Sequence, residues 1–410
     1  MKKRTIKQCK LSYAFFKLLA NVVAKFKFKR KFLRNELRGK KGPLVVISNH
    51  AAALDFVNLI GASRRPMHFV ISSSFYRTLP FKGIVRRLGL IPKQQFQTTL
   101  GDMRNMKHVI DDGKILVIYP TGLMSDDGGA QPLPVATYQF LKWLKADVYM
   151  AKNIGTYFSM PKWREGGMRG GRTFVDIYKL FDADELEHTD LSLIQAKLDE
   201  ALSFDAYEEQ EELLIKYKHN RNIKGLENIL YQCPHCGKEY TVQVKNESTV
   251  YCEDCGFAET ADAYQFLHKV SACGEEIRHP SKWSNLIREN IKKQIEQGEL
   301  STLTTPVKIQ TIPEGKCCFE DMGEGTLTLS AEHFTVTGLL GGAPTELTVP
   351  ILHFASLPYK PGSYIELQHG ADIYRCLPEN GKVVTKLIHM VEIFYELQAA
   401  TPAPSEAAAQ

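Results

Sequence analysis

Between residues 42 and 181, short β-branched apolar runs alternate with stretches of helical spacing. The runs at 44–47, 68–72, 115–119, 148–152 and 173–178 have the length and composition of buried strands, and 81–88 and 101–110 have helical character between them. Strands separated by helices predict an α/β domain with a largely parallel sheet flanked by helices. From 182 to 230 the chain turns acidic. Leu191, Ile194, Leu198 and Leu202 recur at spacings of three and four, which predicts a helical connector with one packed face. Residues 261–300 read as helical. From Gly325 the period drops to two, with strands expected at 326–329, 333–337, 346–349, 364–368 and 373–377. A last helix presents Val384, Leu387, Ile388, Val391, Phe394 and Tyr395 on one face, closing a mostly-β C-terminal domain over 301–398. The Ala/Pro-rich end, 399–410, reads as a disordered tail.

The N-terminal pattern is different. Residues 11–28 are apolar but broken by Lys17, Asn21, Lys25 and Lys27, short of the ~18 uninterrupted apolar residues of a span. On a helical wheel Lys10, Lys17, Asn21 and Lys25 share a narrow wedge, and Leu11, Phe15, Leu18, Leu19, Val22 and Phe26 lie around the rest. Charge sharpens the picture. The 410-residue chain has a net charge of +6, yet residues 1–42 hold fifteen Lys or Arg against one acid, Glu36. Residues 1–41 are therefore expected to form a basic amphipathic segment on an anionic membrane surface, each cation adding about 1 kcal/mol. A helix packed on the domain and a basic arm for nucleic acid share this pattern.

Nine cysteines include two Cys-x2-Cys pairs, and the other five (Cys9, Cys273, Cys317, Cys318, Cys376) suggest no disulfide framework. No cleavable signal opens the chain, so the expected location is cytoplasmic, peripheral on the inner face of the membrane. Cys233-Pro-His-Cys236 and Cys252-Glu-Asp-Cys255 stand fifteen residues apart, the spacing of a zinc ribbon over 231–260. Four thiolates leave no open position, so the zinc is structural. Little basic surface accompanies the ribbon, which argues against nucleic acid.

The candidate chemistry centres on His50. Ser48 and Asn49 end the first apolar run and an Ala-rich stretch follows, so His50 sits where a strand passes into a helix. Asp55 is five residues on, close enough to orient the imidazole and make it a general base for an alcohol. A capping Asn-His pair on an ordinary α/β turn gives the same spacing. Two loops follow: 83–93, with Arg86, Arg87 and Lys93, and 118–128, where Pro120, Thr121 and Gly122 form a sharp turn.

In this order, His50-x4-Asp55, the basic segment and Tyr119-Pro120-Thr121-Gly122 resemble the PlsC-type glycerolipid acyltransferases over roughly 40–180. The resemblance implies an acyltransferase domain over 42–181, with His50 as base and Asp55 as its partner. It further implies an acceptor site drawn from Lys93, Arg86, Arg87 and the Pro120–Thr121–Gly122 turn. The implied reaction moves a fatty acyl group from acyl-CoA or acyl carrier protein to a hydroxyl of a glycerolipid acceptor. Thr121 stands where the family has Glu, Leu123 and Met124 where Thr-Arg would follow, and Lys93 where Arg is usual. Arg164, Arg169 and Arg172 are candidates to replace the lost cation, or form a solvated loop. A catalytically weak lipid-surface or partner-binding protein on the same scaffold is the competing expectation. The C-terminal strands and helix resemble a pleckstrin-homology domain.

Overall fold

Seven strands form the first sheet of the computed structural model, which describes residues 8–95, 99–131, 133–134, 136–217, 222–353, 355–370 and 372–400. They are β1 (Lys31–Asn35), β2 (Leu44–Ser48), β3 (Met67–Ser72), β4 (Ile91–Lys93), β5 (Ile115–Ile118), β6 (Asp147–Ile154) and β7 (Phe174–Phe181). The order is β1-β7-β6-β2-β5-β3-β4, parallel except between β6 and β7. β2 lies at the centre and all five of its residues are buried, as a strand covered on both faces must be.

The helices around this sheet are α1 (Lys10–Phe26), α2 (Asp55–Leu59), α3 (Ser73–Thr78), α4 (Lys82–Val85), α5 (Leu100–Asp111), α6 (Ala136–Leu144), α7 (Thr156–Ser159), α8 (Ala183–His188), α9 (Leu191–Leu202) and α10 (Ala206–Leu213). On one face α1 and α2 bring Tyr13, Ala20, Ala24, Val57 and Leu59 against Val46, Phe69, Val117 and Tyr149. On the other, α5, α6, α8 and α9 contribute Met106, Val109, Leu141, Leu186, Ile194 and Leu198. Thus α8 and α9, expected as a connector, complete the second helical layer. Leu191, expected on their packed face, is 42% exposed.

β1 lies inside the expected membrane-surface segment and is an edge strand of the sheet, so the boundary expected at residue 42 falls within a continuous domain. Arg34 is engaged there, its guanidinium bonding both carboxylate oxygens of Asp176 at 2.9 Å. The helix α1 is amphipathic in an unexpected sense. Its polar wedge turns partly inward, with Lys17 Nζ donating to Ser63 O and Asn21 Oδ1 accepting from Arg30 at 2.9 Å. Leu11, Phe15, Leu18 and Phe26 stay 61–81% exposed. No helix among the described residues is long and apolar enough to cross a membrane.

The second sheet is antiparallel: β8 (Val242–Lys245), β9 (Thr249–Cys252), β10 (Ala258–Ala261) and β11 (Leu267–Lys269). Part of the stretch expected to be helical, 261–300, belongs to it, and α11 (Pro280–Glu296) supplies the helix. Asp262 explains the difference. Its Oδ1 accepts from Tyr264 N at 2.7 Å and Phe266 N at 3.0 Å, closing a turn between β10 and β11.

The third sheet holds β12 (Thr302–Thr311), β13 (Glu320–Ser330), β14 (His333–Leu340), β15 (Ala343–Pro350), β16 (Tyr359–Lys360), β17 (Tyr364–His369) and β18 (Asp372–Pro378). Its order is β15-β14-β13-β12-β18-β17-β16, and α12 (Val383–Ala400) packs on it. Of the expected tail, 399–400 extend α12, and 401–410 lie outside the described residues. α12 is buried well beyond its expected face, with Thr385, Lys386, His389 and Glu392 covered as well. One apolar core runs from Cys233, Cys252 and Phe257 through Trp283 and Ile287 to Leu327, Leu387 and Val391. The ribbon, α11 and the C-terminal sheet therefore share an interior.

Candidate active site

The end of β2 is sewn to β6 by side chains. Asn49 Nδ2 donates to Asn153 O at 2.8 Å, and its Oδ1 accepts from Asn153 N at 2.8 Å. Ser48 Oγ donates to Ala151 O at 2.7 Å. These bonds hold the strand's last residues so that His50 leaves the sheet rim in a fixed direction. Helix α2 then begins at Asp55, whose buried carboxylate turns back. Its Oδ2 lies 3.0 Å from His50 Nδ1 and accepts from Ala51 N at 2.8 Å and Ala52 N at 3.0 Å. Two backbone N–H groups fix the position of this oxygen, so a neutral imidazole that donates to it through Nδ1–H has its lone pair on Nε2. The His50 side chain is 20% exposed, whereas that of Asp55 is fully buried.

Tyr119 packs against the imidazole, the ring centroids 4.4 Å apart and the planes 30° from parallel. Burial, and then the charge of Asp55, push its phenol well above the usual range, so it stays neutral. Tyr119 lies within the 119–122 motif, and nothing local in the sequence marks it as a partner of the imidazole. The turn beyond it is fastened to His50 by the backbone, Ser125 N donating to His50 O at 2.9 Å. Gly122 has φ +70°, a conformation glycine accepts freely. Thr121 Oγ1 donates to Leu123 O at 2.9 Å, within the turn.

The other expected acceptor residues are not all brought together. Lys93 ends β4, on the same rim as His50 but three strands across, about 14 Å at the spacing of adjacent strands. Its Nζ donates to Gln94 O at 3.1 Å, and burial pushes the ammonium down. Gln95, which sequence reasoning passed over, bridges the gap: its Nε2 donates to Gly122 O at 2.6 Å. Arg86 and Arg87 are exposed at the end of α4, before β4 begins, with Arg87 O accepting from Cys9 N at 2.9 Å. They sit apart from the rim. Arg169 does not supply a substitute cation, because its guanidinium donates to Phe158 O at 3.2 Å and Asn222 O at 2.7 Å.

After the turn, Asp126 is buried and accepts from Tyr359 Oη of the C-terminal sheet, whose ring lies 3.1 Å from Lys162 Nζ. Nothing local in sequence signals a contact across 233 positions. Burial, and then the neighbouring Asp126, push Asp127 up to about 7. The sign follows: with its folded pKa above its unfolded one, this group costs stability as pH rises from about 4 to about 7. Asp127→Asn is expected to raise the melting temperature at pH 8 and leave it near native at pH 4, because the amide oxygen can still accept from Gly129 N. Denaturation curves at the two pH values check this, and an equal gain at both would contradict it.

The four ribbon thiols come together as expected. All four sulfurs lie within 4.8 Å of one another, with Cys233–Cys255 at 3.6 Å and Cys236–Cys252 at 3.8 Å. Tetrahedral zinc bonded at about 2.3 Å sets sulfur separations of about 3.8 Å, so the donor set fits the ion. Gly237 N and Gly256 N donate to Cys233 O and Cys252 O at 3.0 and 3.1 Å, forming two like knuckles.

Residues 27–158 match the model of the Acyltransferase family, which covers the His50–Asp55 pair, the turn after β5 and under half of the chain. Among solved structures, PlsC, the 1-acyl-sn-glycerophosphate (LPA) acyltransferase of Thermotoga maritima, is similar at 16% identity with a TM-score of 0.40. The similarity covers 52% of this chain and 84% of that one. No curated protein matches the sequence. The match to the Acyltransferase model is thus confined to the first sheet and its helices, to which the four-thiol sheet and the C-terminal sheet are joined.

Proposed function

We propose that this protein transfers a fatty acyl group from acyl-CoA or acyl carrier protein to a hydroxyl of a glycerolipid-type acceptor. The proposed setting is the cytoplasmic face of a membrane, in phospholipid biosynthesis or remodelling. The observation that carries the reading is the buried Asp55 carboxylate on His50 Nδ1, at the rim of a sheet whose family model is that of acyltransferases.

In the proposed reaction the acceptor hydroxyl gives its proton to His50 Nε2 as its oxygen attacks the thioester carbonyl. Asp55 stabilises the imidazolium that forms. The C–O bond closes, the C–S bond breaks, and the thiolate takes the proton from Nε2. No covalent enzyme intermediate is needed. Lys93, the Pro120–Thr121–Gly122 turn and Gln95 border the acceptor side. Thr121 bonds within its own turn, and no cation stands at 123 or 124, which favours an acceptor read by something other than the family's usual turn residues. The exposed apolar face of α1 supports membrane docking, with an anionic surface as partner. For the C-terminal sheet, the strand order with one closing helix supports the pleckstrin-homology likeness.

The same departures favour a second reading, a lipid-surface protein that has lost catalysis. Incubating purified protein with acyl-CoA or acyl carrier protein and a panel of lysolipids distinguishes the two. The enzyme reading expects thiol release that depends on one class of lysolipid, with a new diacyl product. Lipid-independent release, or none with either donor, would leave the second reading.

A further inference from the structure

The crossover from β3 to β4 exposes Phe75, Phe81 and Ile84 to 54, 77 and 56%. Phe81 is the unusual member. Its backbone is left-handed, with φ 55° and ψ 51°, a conformation that bulky side chains rarely take. The hairpin holds it there. Lys82 Nζ donates to Tyr76 O at 2.8 Å and Arg77 O at 2.6 Å, capping the end of α3, while Ile84 N donates to Phe81 O at 2.8 Å. The result is an aromatic ring presented at the tip of a braced turn.

Two further observations say what meets that ring. Cys9 N donates to Arg87 O, and Gln8 Nε2 donates to Leu88 O at 3.0 Å, so the first turn of α1 adjoins the end of α4. Leu11, in that turn, is 81% exposed. Between residues 56 and 101 the sequence holds seven Lys or Arg and no acid. Protruding apolar side chains in a segment of net positive charge match an anionic bilayer, whose interior takes up a ring without a groove of matching shape.

We propose that α3–α4 is a second bilayer-seated element, entering an anionic lipid surface beside α1 through Phe75, Phe81 and Ile84. Arg86 and Arg87, set apart from the rim, then meet lipid headgroups. This extends the membrane part of the proposed function and is independent of acyl transfer, because binding is measured without an acyl donor.

The test uses the full chain and sedimentation with phosphatidylcholine vesicles, with and without phosphatidylglycerol. The native protein is expected to bind the anionic vesicles, less so at high salt. Phe81→Asp combined with Ile84→Asp is expected to weaken partition at least tenfold, while Leu193→Asp, on α9, leaves it unchanged. Phe81→Gly separates binding from folding, since glycine accepts this backbone: it should melt at or above the native temperature and still bind more weakly. Emission from Phe81→Trp should shift to the blue and be quenched by brominated lipid. Native-strength binding by the double variant, or an unquenched Trp on bound protein, overturns the proposal. If Leu18→Asp alone abolishes binding while that Trp stays unquenched, α1 docks by itself. A native chain that ignores anionic vesicles and binds an acidic carrier protein also overturns it.

Discussion

His50→Ala is expected to lower lipid-dependent thioester cleavage by about 10²–10⁴-fold, the range of a positioned general base. The fold should be spared, because His50 is partly exposed and its bond to the turn runs through the backbone, Ser125 N to His50 O. Asp55 permits a finer separation. One oxygen, Oδ2, takes the imidazole and both backbone N–H groups, while Oδ1 has no hydrogen-bond partner among the described residues. Asp55→Asn can therefore place its amide oxygen at the Oδ2 position, keep all three bonds and remove only the charge. A charge-assisted hydrogen bond exceeds a neutral one by about 1–2 kcal/mol, so a loss of about 5–30-fold is expected. Asp55→Ala loses the orientation as well and should approach His50→Ala. Equal rates for native protein and His50→Ala would remove the base from the mechanism. Equal losses for Asn and Ala at position 55 would show that charge, and not orientation, is what Asp55 supplies.

The parts of this arrangement visible in sequence are those whose signals are local. β2 and β5 are buried on both faces and announce themselves as short apolar runs, and His50 and Asp55 lie within one strand-to-helix passage. β1 escaped because an edge strand need not be apolar, and its Lys31-Phe-Leu-Arg-Asn35 reads as part of a charge cluster. β4 is three residues long with Pro92 at its centre, which argues against a strand unless it lies at an edge, as it does. The partition into ribbon, helical segment and C-terminal domain followed changes of period, which do not register a shared interior. Tyr359 on Asp126, Ser74 Oγ on Glu366 at 2.6 Å and Lys386 on Glu239 all join segments at least 147 residues apart. No pattern along the chain encodes such pairs. Lys17 and Asn21 show a related limit: a wheel finds the polar wedge but not which side of the helix the sheet takes.

The shared interior determines what loss of zinc should do. Four thiolates holding zinc contribute on the order of 10–16 kcal/mol of apparent binding free energy, as large as the ~5–15 kcal/mol that stabilises an ordinary domain. In an isolated ribbon the damage would end at β8–β11. Here Cys233 and Cys252 are buried in the core that also contains Trp283, Leu387 and Val391, and Lys386 Nζ reaches Glu239 beside the first knuckle at 2.7 Å. Chelation, or Cys252→Ser, is therefore expected to unfold the ribbon, α11 and the C-terminal sheet together, and through Tyr359 to loosen the turn that follows Asp126. Circular dichroism should show one cooperative loss of strand signal. Metal analysis should find one zinc per chain before treatment, and a hydrogen-exchange map should extend beyond residues 231–260 into 302–378. Activity should fall with the fold and return on refolding with zinc. Protein that carries no zinc and melts normally in chelator would eliminate the metal. Protection lost only within the ribbon would keep the metal and refute the common core.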